Sequence, residues 1–151
     1  MKSRRKAKKG SKNDDFELIK DVIDSNDVSI ADIKNLATIN YPVFSFKYLQ
    51  DVSIKDCNDV KFVKDFIFRL KQLSELGWIE IRKSGRHSFG MEKIPYHAIK
   101  PNIHIPGFIT PEVEFCVFRA TGSNLPFIGI QEGRIFHIVF IETRFGDIYN
   151  H

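Results

Sequence analysis

Apolar residues recur along this chain at several distinct spacings, and each spacing predicts a different kind of element. Phe16, Ile19, Val22 and Ile23 fall at helical intervals behind Asp14 and Asp15, acids suited to a helix N-terminus. Ser29 and Asp32 form a capping arrangement ahead of Ile30, Ile33 and Leu36, with Asn26 and Asp27 as the break between two short helices. Residues 14–42 therefore read as a helical extension. Pro42 opens a strand over 43–49, which places Phe44, Phe46 and Tyr48 on one side and Ser45 and Lys47 on the other.

The clearest pattern follows. Asn58 or Asp59 caps a helix on which Phe62, Val63, Phe66, Ile67, Leu70 and Leu73 form a continuous apolar stripe. Leu76 extends the stripe, and Gly77 suits the position just past a helix end. Trp78 to Ile81 alternates like a strand, yet equally fits a second short helix running to Lys83. Residues 84–111 read as an extended connection broken by glycines and prolines. Connections this long within one domain are usually functional or disordered. Arg86, His87, Phe89, Glu92, Tyr96, His97 and His104 make this one too rich in reactive side chains for a plain linker.

The remainder predicts an antiparallel meander. Strands are expected over 113–120, 127–130 and 134–142, with turns at 121–124 and 131–133 and a short edge strand over 147–151. The third of these is apolar on both faces, which suits an interior position. The predicted class is α+β, a small antiparallel sheet packed against an amphipathic helix.

Composition adds the scale. The 151 residues are 42% hydrophobic and 28% charged, which suits one globular domain with a core rich in its 14 phenylalanines. Charge changes the picture more. Residues 1–13 carry seven Lys or Arg and no acid, and with no apolar anchor they are expected to form a disordered basic tail. Residues 14–60 hold four basic and ten acidic residues, a net of −6; residues 61–151 hold twelve and nine, a net of +3. The overall +4 thus comes from the tail, and whole-chain basicity is no argument for nucleic-acid binding. Cys57 and Cys116 form no CxxC and read as two thiols in a reducing compartment. No run approaches a membrane span, and the basic N-terminus lacks a signal peptide's apolar stretch, so a cytoplasmic location is expected.

The candidate chemistry is sparse. No glycine phosphate loop or nucleophile elbow is present, and the five histidines make no HxH or HExxH pair, so neither metal nor cofactor is expected. What remains are polar groups where structure alone has little use for them. Arg119 shares a strand face with Phe115 and Val117 and needs either an acid partner or an anion. His137 interrupts the apolar run 135–139, with Val139 and Ile141 on its side, and reads as a satisfied core histidine or a functional one. Tyr149 and His151 share a face at the C-terminus, where fraying competes with a role in a site.

Metal-free RNA cleavage needs a base for the 2′-hydroxyl, a cation for the scissile phosphate and an acid for the leaving oxygen. Arg119, Tyr149, His151 and Glu92, with Arg86 and His87, supply those types.

The order of strand, helix and C-terminal meander, with FRA at 118–120, FHIVFIE at 136–142 and DIYNH at 147–151, resembles the RelE/ParE superfamily of toxins from toxin–antitoxin pairs over residues 43–151. The resemblance implies an endoribonuclease that inhibits translation by cleaving mRNA on the ribosome and is silenced by a cognate antitoxin. It casts Arg119 as the phosphate-binding arginine, Tyr149 as the base-stacking tyrosine and His151 as the general acid or base. Glu92 becomes the partner base, Arg86 or Lys93 an added cation, and His87 and His137 further RNA contacts. Two other readings stay open: a non-catalytic module that binds protein or nucleic acid, and an unrelated small enzyme built on the 84–111 connection.

Overall fold

A phenylalanine-rich sheet with a long helix on one face and a loop layer on the other is what a computed structural model of the chain describes, over residues 40–55, 57–86, 88–120 and 125–151. The basic tail, most of the helical extension, His87 and the turn at 121–124 lie outside the described residues. The elements are β1 (Val43–Ser45), α1 (Asp51–Lys55), α2 (Val60–Lys83), β2 (Glu92–Ile94), a 3₁₀ turn (Tyr96–Ala98), β3 (Phe115–Arg119), β4 (Pro126–Glu132) and β5 (Ile135–Ile141). The class is α+β.

The sheet runs β1-β5-β4-β3-β2 and is mixed. The expected all-antiparallel arrangement fails at one edge, where β1 pairs parallel to β5 with Phe44 opposite Phe136. Parallel neighbours need a long crossover, which the chain from α1 to β4 provides. The strand expected over 43–49 stops at Ser45. Leu49 N–H turns back to the Phe46 carbonyl at 3.1 Å, and Gln50 N–H reaches Val139 at 2.9 Å. This delivers Ser53, whose hydroxyl accepts the Ile141 N–H at 2.9 Å and ties α1 to β5.

Helix α2 begins as expected, with the Asp59 carboxylate accepting the Lys61 N–H at 2.9 Å. Its stripe is narrower than the periodicity predicts. Phe62, Phe66 and Leu73 are buried against the sheet, whereas Ile67 stays 60% exposed on the outer side. Gly77 breaks the helix at φ 82°, and the chain resumes as a short second helix through Trp78, Ile79 and Ile81. The Asn40 side chain restarts that helix by accepting the Ile79 N–H at 3.2 Å. It lies so close to Gly77 that a side chain there would collide with it. Trp78 donates its indole N–H to the Arg134 carbonyl at 3.1 Å, so its polar edge is satisfied as the ring is buried.

Two cores result. On the helix face, Phe118, Phe127 and Phe136 pack with Phe62, Phe66, Leu73, Trp78 and Ile81. On the opposite face, Ile94, Phe115, Val117, Ile128 and Phe140 are covered by Ile99, Ile109, Ile148 and Tyr149 from the loop and tail. Burying each large side chain contributes roughly 1.5–3 kcal/mol. A register shift at Ile128/Gly129 leaves Val139 as an extra residue in β5. Consequently Ile141 joins the helix-face core while Val139 and Phe140 both face the loop layer, so His137 does not share its side with Ile141 as strict alternation predicted.

Two further expectations are corrected. The 84–111 connection contains β2, an edge strand paired antiparallel to β3. The tail over 147–151 is no edge strand of the sheet; its single bridge joins Tyr149 to Ile99, and it lies across the loop-covered face.

Candidate active site

The site is built where β2, the end of β3 and the C-terminal tail converge. Arg119, the last residue of β3, is only 8% exposed on the loop-covered face. A guanidinium so enclosed requires compensation, and Glu92 of β2 supplies part of it. Its carboxylate stands between two cations, with Oε1 3.3 Å from Arg86 Nη1 and Oε2 3.7 Å from Arg119 Nη2. The first distance allows a hydrogen bond; the second is an ion pair without one.

The tail is placed by Glu142, the residue immediately after β5. Its side chain is fully buried, and its carboxylate accepts the Gly146 N–H, which folds residues 142–147 into a tight turn. The chain then runs antiparallel to the loop. Lys100 N–H donates to Ile148 at 2.8 Å, and Asn150 N–H reaches Ala98 at 3.4 Å. Tyr149 is thereby buried, and the terminal residue is aimed back at Glu142.

The His151 ring is held on three sides. Its Nε2 lies 3.1 Å and 3.3 Å from the two Glu142 carboxylate oxygens. Its faces are covered by Phe145, with centroids 3.9 Å apart, and by Tyr149 at 4.0 Å. The side chain is only 14% exposed. The Glu142 carboxylate is thus the hydrogen-bond partner of the His151 Nε2 atom. This is a carboxylate–imidazole pair of the kind that orients a proton-transfer histidine.

Burial acts on the neighbours' ionisation. It pushes the Glu142 carboxyl above its usual range, against the pull of His151 and of the Gly146 and Asp147 N–H groups. It also raises the Tyr149 phenol, with Arg119 pulling in the opposite direction. Tyr149 is therefore a neutral hydroxyl at ordinary pH, able to donate.

These groups share one cavity of about 480 Å³, lined by Arg86, Glu92, Lys93, Arg119, Tyr149 and His151, with Ile94, Pro95, Ala98, Phe145 and Asn150 completing the wall. The arrangement offers three cations, a carboxylate, a phenol and an oriented imidazole around one hollow. The acid on its wall, Glu92, pairs with two of those cations, Arg86 and Arg119.

Two residues singled out from the sequence stand elsewhere. His87 lies outside the described residues. His137 does not line the cavity: it pairs across to Ser45 and Ile130, packs its ring 5.1 Å from Tyr48 and has Nε2 3.3 Å from Glu132. These contacts hold the ring, while its buried Nδ1 has no hydrogen-bond partner. Conversely, Glu142 and Phe145 escaped the sequence reading. The signal for Glu142 was an acid closing the apolar run 135–141, nine positions before a histidine.

Among the described residues, no group of three or more His, Cys, Asp or Glu is placed to hold a metal ion. No described helix is long and apolar enough to cross a membrane. Comparison with protein-family models, with curated proteins and with solved structures gives no match.

Proposed function

We propose that this cavity cleaves RNA by internal transesterification, and that the protein is an mRNA endoribonuclease of RelE-like type acting on translation. The observation that carries the reading is the convergence of Arg86, Glu92, Arg119, Tyr149 and the Glu142-held His151 on one hollow. Arg86 and Arg119 flank Glu92, so a phosphate bound by the two guanidiniums is set beside a carboxylate. Glu92 takes the proton of the 2′-hydroxyl; the O2′–P bond forms and the P–O5′ bond breaks. His151 supplies the proton that O5′ needs, and the products are a 2′,3′-cyclic phosphate and a free 5′-hydroxyl. Arg119, always charged and bidentate, takes up charge on the phosphoryl oxygens. The Tyr149 hydroxyl adds a donor.

The test is cleavage of end-labelled RNA, free and on translating ribosomes, with EDTA present. New 5′-hydroxyl ends that disappear in His151→Ala and Arg119→Ala, with no cleavage of the DNA counterpart, are expected. Intact RNA under both conditions overturns the reading.

A second reading, a module that captures a protein partner, is favoured by one observation. Val60, Ile67 and Phe68 on the outer side of α2 are 81%, 60% and 58% exposed, beside a hollow of about 440 Å³ that they line with Cys57 and Val63. Exposed apolar patches of this kind mark interaction sites. An antitoxin would reconcile the two readings. Capture of a small neighbouring-gene product, lost in Ile67→Asp, is the expected result.

A further inference from the structure

We infer that the loop over residues 93–111 is a track for single-stranded RNA flanking the scissile phosphate; this rests on the ribonuclease reading of the adjoining cavity. The first observation is charge. These 19 consecutive residues contain no acid but carry Lys93, His97, Lys100 and His104, interleaved with Tyr96 and Phe108. In a body that is otherwise mixed in sign, an acid-free strip of cations and aromatic rings has the chemistry that sequence-tolerant single-strand binders use.

The second observation is shape and continuity. A hollow of about 560 Å³ is lined by Tyr96, His97, Lys100, Asn102 and His104, among others. It is reached along one stretch of chain, since Pro95 and Ala98 line the candidate active site while the intervening and following Tyr96, His97 and Ile99 line this hollow. A strand leaving the scissile position along residues 95–99 would meet a hollow whose lining contains no acid. The far end is marked by Asp51, which lines the next hollow with Gln50, Asn102 and His104 and repels phosphate there.

The third observation is that the strip is anchored and presents its polar groups outward. Ile99 and Ile109 are buried in the loop-face core, with Ile103 and Ile105 packed against it. Lys100 N–H is bonded to the tail that carries Tyr149 and His151. His97, Asn102 and His104 are exposed and Lys100 is half-buried. The exposed His97 ring is backed edge-on by Tyr96 at 5.6 Å, and Tyr96 is itself stacked on Phe115 at 6.2 Å. His97 is thus a supported platform for a base, Lys100 a phosphate contact, and Asn102 and His104 are hydrogen-bonding groups for base edges. The track would give the enzyme a preference for substrates extending several nucleotides to one side of the cleaved bond.

The experiment measures binding of fluorescent 2′-O-methyl oligouridines, which lack the attacking hydroxyl, in trimer and nonamer lengths. For the full-length protein the nonamer is expected to bind roughly tenfold or more tightly than the trimer. Lys100→Glu and the surface variant His97→Ala should keep trimer affinity and thermal midpoint while losing most of the nonamer advantage. The dependence of log K on log salt for the nonamer should fall by about 0.7 in Lys100→Glu, the loss of one phosphate contact. Nonamer affinity unchanged in both variants overturns the track. Length-dependent binding that Lys100→Glu abolishes, with no cleavage of unmodified RNA, overturns the nuclease reading and keeps the track. No binding of either length overturns both.

Discussion

Each face of the sheet is covered by a cluster of buried apolar side chains, and the two clusters are nonetheless different materials. Against α2, Phe118, Phe127, Phe136, Trp78 and Leu73 make an aromatic core with no Asp, Glu, Lys, Arg or His among its described members. Against the loop and tail, Phe115, Val117, Phe140 and Tyr149 are equally enclosed, yet Arg119 and Glu142 are buried at their margin. Regular secondary structure satisfies its own backbone and needs only apolar side chains to cover the sheet. Irregular chain does not, and the Glu142 carboxylate that folds the tail by accepting backbone N–H groups is the same group that holds His151. The difference teaches that one face stabilises the fold by apolar burial, while the other also keeps charge out of water, a cost that the proposed ribonuclease reading would put to use.

That contrast can be broken by substitution. The largest effect is expected for Phe127→Ala on the helix face, because its fully buried ring packs against Phe44, Phe66, Phe118 and Phe136. A loss of about 3–5 kcal/mol in denaturant unfolding is expected; a loss below 1 would show that the helix face is not the main source of stability. His151→Ala should behave in the opposite way. RNA cleavage is expected to drop roughly 10²–10⁴-fold, with a thermal midpoint close to wild type. A large fall in midpoint would mean that the histidine serves as a tail anchor instead.

Gly77→Ala sharpens the same division. At φ 82°, with the Asn40 side chain against it, alanine is strained, and a cost of about 1–3 kcal/mol is expected without change in cleavage per folded molecule. The smallest effect concerns pH. Burial raises the Glu142 carboxyl, so the folded state holds that proton more tightly than the unfolded chain does. Its contribution to stability is therefore fully present below the unfolded carboxylate range and is lost as pH rises through the raised value. Glu142→Gln should remove that decline, narrowing or reversing its stability deficit as pH rises through that interval. Parallel pH profiles for the two proteins would contradict the assignment. In cleavage assays the same variant should shift the pH–rate profile, because in the proposed reaction Glu142 acts through His151.

Much of the helix face was legible in advance. The stripe on α2 and the apolar runs of β3 and β5 follow from spacing alone, since side-chain direction is set by the local period of 3.6 or 2. Legibility failed where a distant group intervened. Ile67 has a stripe residue's spacing but no sheet beneath it, and Gly77 looked like a helix end because Asn40, which restarts the helix, lies 37 positions away. Ile141 changed faces because of a register shift at Gly129, where any side chain would strike the His137 carbonyl.

For the site, residue types were visible and their partners were not. Arg119, Tyr149 and His151 stood out as polar groups in apolar or terminal surroundings and Glu92 as a reactive group in the 84–111 connection, and all four line one cavity. His137 stood out for the same reason and is held by Tyr48 and Glu132 elsewhere on the sheet. By itself the sequence determined the α+β class, the amphipathic helix and which side chains were chemically out of place, because these depend on near neighbours in the chain. Only the tertiary structure decided that β1 runs parallel, that the tail crosses a face instead of an edge, and that Glu142 holds the last imidazole. Those outcomes depend on which distant backbone groups must be satisfied once the core has closed, and no local pattern encodes them.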